Sequence, residues 1–197
     1  MKRLSIYCAT ALLLVIPHIS RAEDWKPDPG FTSLYNCKDL TGWGYRDKAQ
    51  KTLECFDGKM ESSDGRYIAK GECLVVNPED KSKGPHLRQL WTTREFPKDF
   101  ILKIEFRASA NADSGIFLRK PQLQCRDYLV AGPYKDLKNY KPQEWNVIIV
   151  TVKDNVAHCE CNGEVLEDSI QLPDTGPVGL EADRNQMEYR RIQIKES

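Results

Sequence analysis

Glu181 and Asp183 stand two apart in the stretch Gly179-Leu180-Glu181-Ala182-Asp183-Arg184. On a β-strand that spacing points both carboxylates to one face, roughly 6 to 7 Å apart along the chain. A third, Glu105, alternates with Leu102, Ile104 and Phe106, so it belongs to the polar face of its own strand. Carboxylates that converge raise one another's proton affinity. One can then hold a proton near neutral pH while another acts as a base. Arg107 and Arg119 are the cations placed to balance such a cluster. Hard oxygen donors of this kind also suit calcium or another divalent ion, with Glu105, Glu181 and Asp183 as its ligands, although no spacing approaches an EF-hand loop. Two plainer readings stand beside these. Alternating polar residues often form only a solvated sheet face, and Glu105 and Arg107 suit cross-strand ion pairs.

Further along, Gln124, Arg126, Asp127 and Tyr128 concentrate hydrogen-bonding groups in five positions. His86 lies in a polar loop, Asn77 to His86, and is a candidate for a catalytic or substrate-binding role. His158-Cys159-Glu160-Cys161 contains zinc-ligating residue types but lacks paired C-x-x-C spacing, and His158, just before a hairpin, reads as structural. No nucleophile elbow, P-loop or dinucleotide fingerprint is present.

The elements that must carry these groups are strands. Phe100–Arg107 and Trp145–Lys153 alternate with period two, and Asn162-Gly163 between two short runs is a type I′ hairpin signal. Val178–Asp183, Tyr189–Lys195, Leu74–Val76, Gln89–Thr92 and Ile116–Arg119 supply further candidates. Many short strands broken by Gly and Pro turns point to an all-β fold, a single antiparallel β-sandwich. Trp43 and Trp145 sit within strand-like motifs and are assigned to its core. Ala131–Gln143 reads as a long loop of the kind that often borders a site.

The first residues read as an export signal. Lys2 and Arg3 precede the apolar run Leu4–Ile16, and Ser20-Arg21-Ala22 offers small residues at a cleavage position, which gives a signal peptide over 1–22 and a domain over 23–197. The run is too short for a membrane span, and no later segment matches its apolarity, so no span is expected in the mature chain. Without Lys2, Arg3 and Arg21 the 29 basic residues fall to 26 against 29 acidic ones. No basic stripe is present, and nucleic acid is not an expected partner. Setting Cys8 aside leaves six of the seven cysteines, an even number that favours disulfides in a periplasmic or extracellular location. Cys159 and Cys161 share a strand face too closely to bridge one another, so each pairs elsewhere or stays reduced and buried.

An ordered set of landmarks resembles the 3-keto-disaccharide hydrolase (DUF1080) family. The set opens with Phe31-Thr32-Ser33-Leu34-Tyr35-Asn36, Lys38-Asp39-Leu40 and Gly42-Trp43. Ser114-Gly115-Ile116-Phe117-Leu118-Arg119 is similar to the family's N-S-G-I-F-L-R, with Gln124 following. Glu144-Trp145-Asn146, Asn162-Gly163, Gly176-Pro177-Val178-Gly179-Leu180 and Glu188-Tyr189-Arg190 complete it. Asp113 replaces the asparagine of N-S-G. Glu181 to Arg184 stands where the family often reads Q-D-H-G, and Arg66-Tyr67 where it carries a tryptophan.

The resemblance implies a concanavalin- or laminin-G-like jelly roll with a concave, sugar-accepting face, and cleavage of glycosides already oxidised to a ketone at carbon three. A ketone there acidifies the hydrogen at carbon two. A base removes that proton, the glycosidic oxygen leaves carbon one, and water adds. On this reading Glu181, Asp183 and Glu105 supply acid and base, and Arg119, which keeps its charge, stabilises the developing oxyanion. Arg107, Gln124, Arg126, Tyr128, Tyr134 and His86 would line the sugar, with Tyr128, Tyr134 and Tyr140 as stacking platforms. The rival readings are a non-catalytic carbohydrate-binding module of the same fold and an accessory domain docking through its outer sheet.

Overall fold

A computed structural model describes residues 25–78 and 89–197. The signal-like segment and His86 fall outside them. Alternation becomes strand throughout, and no helix forms among the described residues. The N-terminal strands are β1 (Thr32–Ser33), β2 (Trp43–Arg46), β3 (Thr52–Cys55), β4 (Tyr67–Lys70), β5 (Cys73–Val76) and β6 (Leu90–Thr92). The central ones are β7 (Phe100–Ala108), β8 (Asp113–Leu118), β9 (Gln122–Arg126) and β10 (Asn146–Lys153). Last come β11 (Val156–Cys161), β12 (Glu164–Gln171), β13 (Val178–Leu180) and β14 (Met187–Glu196). The larger antiparallel sheet runs β12-β11-β10-β7-β14-β5-β4, with β1 also paired to β14. The smaller runs β3-β2-β6-β13-β8-β9.

The two sheets bury their apolar faces against each other. Phe100, Leu102, Ile104 and Phe106 of β7 point inward, as do Ile116 and Leu118 of β8, Leu123 of β9 and Val178 and Leu180 of β13. Each such side chain contributes about 1.5–3 kcal/mol on burial. Asn162 (φ 48°) and Gly163 (φ 82°) turn the β11–β12 hairpin through the left-handed region that a type I′ turn needs. Asn162 also accepts from the Val147 amide at 2.8 Å and donates to Asn146 Oδ1 at 2.8 Å. Both asparagine motifs are therefore fasteners of the sheet and of the Ala131–Gln143 loop.

Two expectations are corrected. Trp43 is in the core, but Trp145 is only half-buried. It lies on the outer face of the larger sheet between the guanidiniums of Arg107 and Arg190, 4.8 and 3.9 Å from its ring centre. Cation–π contact, not burial, occupies that ring. All six described cysteines are free thiols; Cys125, Cys159 and Cys161 are buried in the core as small apolar groups. Among the described residues no helix is long and apolar enough to cross a membrane.

Candidate functional site

The outer face of the smaller sheet carries a polar cluster with Glu181 at its centre. Strand β13 ends at Leu180, but the chain stays beside β8: the Glu181 amide donates to Gly115 O at 3.0 Å, and Asp113 exchanges backbone bonds with Arg184. The alternation therefore persists past the formal strand, with Leu180 in the core and Glu181 facing outward. From inside, Tyr67 of β4 donates to Leu180 O at 2.9 Å, and Ser114 donates to Glu181 O at 2.6 Å. Ser114 Oγ also lies 3.0 Å from the Tyr189 hydroxyl of β14. Core hydroxyls of the larger sheet thus reach across the sandwich and fix the backbone that presents the carboxylate.

Glu181 is 8% exposed. Among the described residues its oxygens receive two amides, Gln122 Nε2 at 2.6 Å on Oε2 and Gln89 Nε2 at 3.5 Å on Oε1. Burial pushes its proton affinity up, the charges of Asp183 and Asp113 add to that, and the two amides oppose it. Asp113 has a different environment. It accepts from Gln124 Nε2 at 2.7 Å, from Arg126 Nη1 at 3.3 Å and from Arg184 Nη2 at 3.3 Å. One face therefore holds a carboxyl that takes a proton readily and, beside it, a carboxylate matched by two guanidiniums. Trp91 and Phe117 adjoin them, with ring centres 5.2 Å apart.

Of the residues expected at a site, Glu181, Asp183, Gln124 and Arg126 come together here. Glu105 and Arg107 do not. Both lie on β7 in the other sheet, on the opposite outer face. Glu105 accepts from Arg190 at 2.7 Å and Arg191 at 3.0 Å, and Arg107 donates to Glu188 at 2.6 Å. These are the ion pairs of the plainer reading, though with β14 rather than with each other. The calcium ligand set falls apart with them, since Glu105 is across the sandwich from the other two carboxylates. No group of three metal-ligating side chains forms among the described residues.

Arg119 is also displaced from the cluster. Its backbone is left-handed (φ 60°), and its buried side chain donates to Asn155 Oδ1 and Pro173 O at 2.7 Å and to Lys98 O at 2.8 Å. All three acceptors belong to loops at one end of the sandwich. Tyr128 is wholly buried and donates to Gln124 O at 2.9 Å, while Tyr134 bonds Glu167 and Tyr140 bonds Asp127 at 3.2 Å. The three rings pack edge to face under the Ala131–Gln143 loop instead of offering a platform.

The cluster also contains residues that sequence reasoning left out: Gln122, Gln89, Trp91 and Phe117. Gln122 was findable, since it lies two before Gln124 and shares its strand face. Asp113 and Arg184 were visible as departures from the family pattern, but nothing in the sequence joined them.

A family model described as the 3-keto-alpha-glucoside-1,2-lyase-like domain matches residues 30–195. Two solved structures share the fold, both proposed glycosyl hydrolases from Parabacteroides distasonis. One has a TM-score of 0.62 at 19% identity, with 85% of this chain and 94% of that chain covered. The other has a TM-score of 0.53 at 15% identity, with 70% and 93% covered. No curated protein matches the sequence.

Proposed function

The chain belongs to the 3-keto-alpha-glucoside-1,2-lyase-like family, and on that premise we propose that it is an exported enzyme cleaving 3-keto-glycosides, with Glu181 as the proton-handling group. The observation that supports this is a buried carboxyl, bonded among the described residues by amides and pushed up in proton affinity, on the outer face of the smaller sheet. Such a group is a stronger base than an exposed carboxylate, which suits it to removing a carbon-bound proton.

Glu181 takes the proton from carbon two, and the electron pair moves onto the carbon-three oxygen as an enolate. Among the described residues Arg184 is the exposed cation of the cluster, and we assign it to that oxygen in place of Arg119, whose side chain is held by loops at one end of the sandwich. The enolate then re-forms the ketone, a double bond forms between carbons one and two, and the glycosidic oxygen leaves carbon one with a proton from water. The hydroxide so formed adds at carbon one, and Glu181 returns the first proton to carbon two. The sum is hydrolysis.

Incubation with a 3-keto-disaccharide in deuterated buffer tests the proposal. Released monosaccharide carrying deuterium at carbon two supports it, and Glu181→Gln should abolish both signals while the fold persists. Saccharide binding with no turnover would instead establish the binding module, whose hydroxyl-binding groups would be the amides of Gln89, Gln122 and Gln124.

A further inference from the structure

Gln122 reaches Glu181 by crossing a strand. Strand β8 lies between β9, which carries Gln122, and β13, which leads to Glu181. The residue of β8 under the crossing is Gly115. A Cβ there would stand 2.1 Å from Gln122 Nε2 and 2.6 Å from its Cδ and Cγ. Any side chain at that position would occupy the lane and turn the amide out. The backbone of Gly115 meanwhile accepts from the Glu181 amide at 3.0 Å. The Ser114-Gly115 pair thus acts on Glu181 from both faces of the sheet: Ser114 holds its carbonyl from the core side, and Gly115 leaves the outer side open.

We propose that Gln122 is a positioning residue for Glu181, and that position 115 lacks a side chain so that the Gln122 amide can cross β8 and fix the carboxylate. An amide nitrogen donates and does not accept, so it ties Oε2 and fixes the rotation of the carboxylate. Oε1, which among the described residues meets just the long Gln89 contact, is left to meet a substrate proton. Asp113, Arg126 and Arg184 cannot substitute, because they engage one another. This extends the function proposed above, since it rests on Glu181 doing the proton transfer.

Two readouts test it on the full chain. The first needs no substrate: the side-chain amide resonance of Gln122, assigned by its loss in Gln122→Met, is expected well downfield and protected from exchange. In Gly115→Ala it should move to the position of a solvated amide while the backbone spectrum stays folded. A solvated-type amide in the wild type, or one unmoved in folded Gly115→Ala, overturns the proposal whatever the substrate proves to be. If Gly115→Ala does not fold, Glu181→Gln is the alternative, and an amide signal unchanged by it is equally fatal. The second is turnover of the 3-keto-disaccharide. Gln122→Met should lower kcat about ten- to a hundredfold with KM little changed, as for loss of a hydrogen bond to a charged group. Gly115→Ala should give a similar loss, and the double variant no further loss. Multiplicative losses would overturn the shared route. Absence of any turnover in the wild type would refute the enzymatic reading and leave the amide signal to decide the geometry.

Discussion

Replacing Arg119 by methionine separates a structural from a catalytic arginine. Its guanidinium donates to Asn155 Oδ1, Pro173 O and Lys98 O, all within 2.8 Å, and it lies over the Phe100 ring at 5.6 Å. Methionine retains the packing on Phe100 and removes three charge-assisted bonds. At about 1.5 kcal/mol each, discounted for water that enters to solvate the freed acceptors, the loss comes to about 3–4 kcal/mol of unfolding free energy. That is a large part of the 5–15 kcal/mol typical of a domain. Urea unfolding at neutral pH measures it, and the midpoint should fall with the slope unchanged. Arg119→Lys should recover only part, because a single ammonium nitrogen cannot occupy the places of both Nη1 and Nη2. Stability within 1 kcal/mol of wild type together with lost turnover would refute this reasoning and return Arg119 to the reaction.

Four other outcomes follow from the same contacts. Burial raises the proton affinity of Glu181 in the folded state, so its contribution is favourable at low pH and is lost as pH rises through the raised value. Glu181→Gln should therefore raise Tm at pH 8 relative to wild type and leave it unchanged near pH 4; equal shifts at both would contradict this. Gly179→Ala would put a Cβ 2.5 Å from the rigid Trp91 ring, and a cost of about 1–3 kcal/mol is expected by thermal unfolding. Burial pushes the Cys159 and Cys161 thiols up to about 12. A thiol reagent at pH 8 should label exposed Cys55 first and these two only after denaturation. Asp113→Asn should destabilise by about 0.5–1 kcal/mol, and less in an Arg184→Gly background, when the two are compared in a double-mutant cycle.

The sandwich was legible because its signals are local. Alternation in Phe100–Arg107 and the Asn162-Gly163 turn each depend on a few consecutive residues, and both appear in the structure with their register intact. The site was legible only in part. Glu181 and Asp183 were found by spacing along one chain segment, which the persistence of β8 pairing past Leu180 preserves. Glu105 was assigned to the same cluster because alternation tells which side of its sheet a residue occupies, but not which sheet its strand joins. Strand order decided that, by putting β7 between β10 and β14. Arg119 misled for a similar reason. It follows a strand whose outer face carries the candidate site, yet its left-handed backbone turns the side chain into the loops. Trp145 looked like core because a large ring is usually buried, and two flanking guanidiniums are invisible in a strand pattern.

Two departures from the family pattern, far apart in sequence, meet in space. Asp113 stands where the family has asparagine, and Arg184 where it often has glycine; their side chains lie 3.3 Å apart. Arg184 without Asp113 would leave a guanidinium beside Arg126. Asp113 without these arginines would set a second unmatched carboxylate next to Glu181 and push that group's proton affinity further up. Together they add one negative and one positive charge at nearly one point. The field at Glu181 then changes little, while a cation is brought to the open face. The pair thus adds an exposed guanidinium to this face while Glu181 keeps the amides of Gln122 and Gln89.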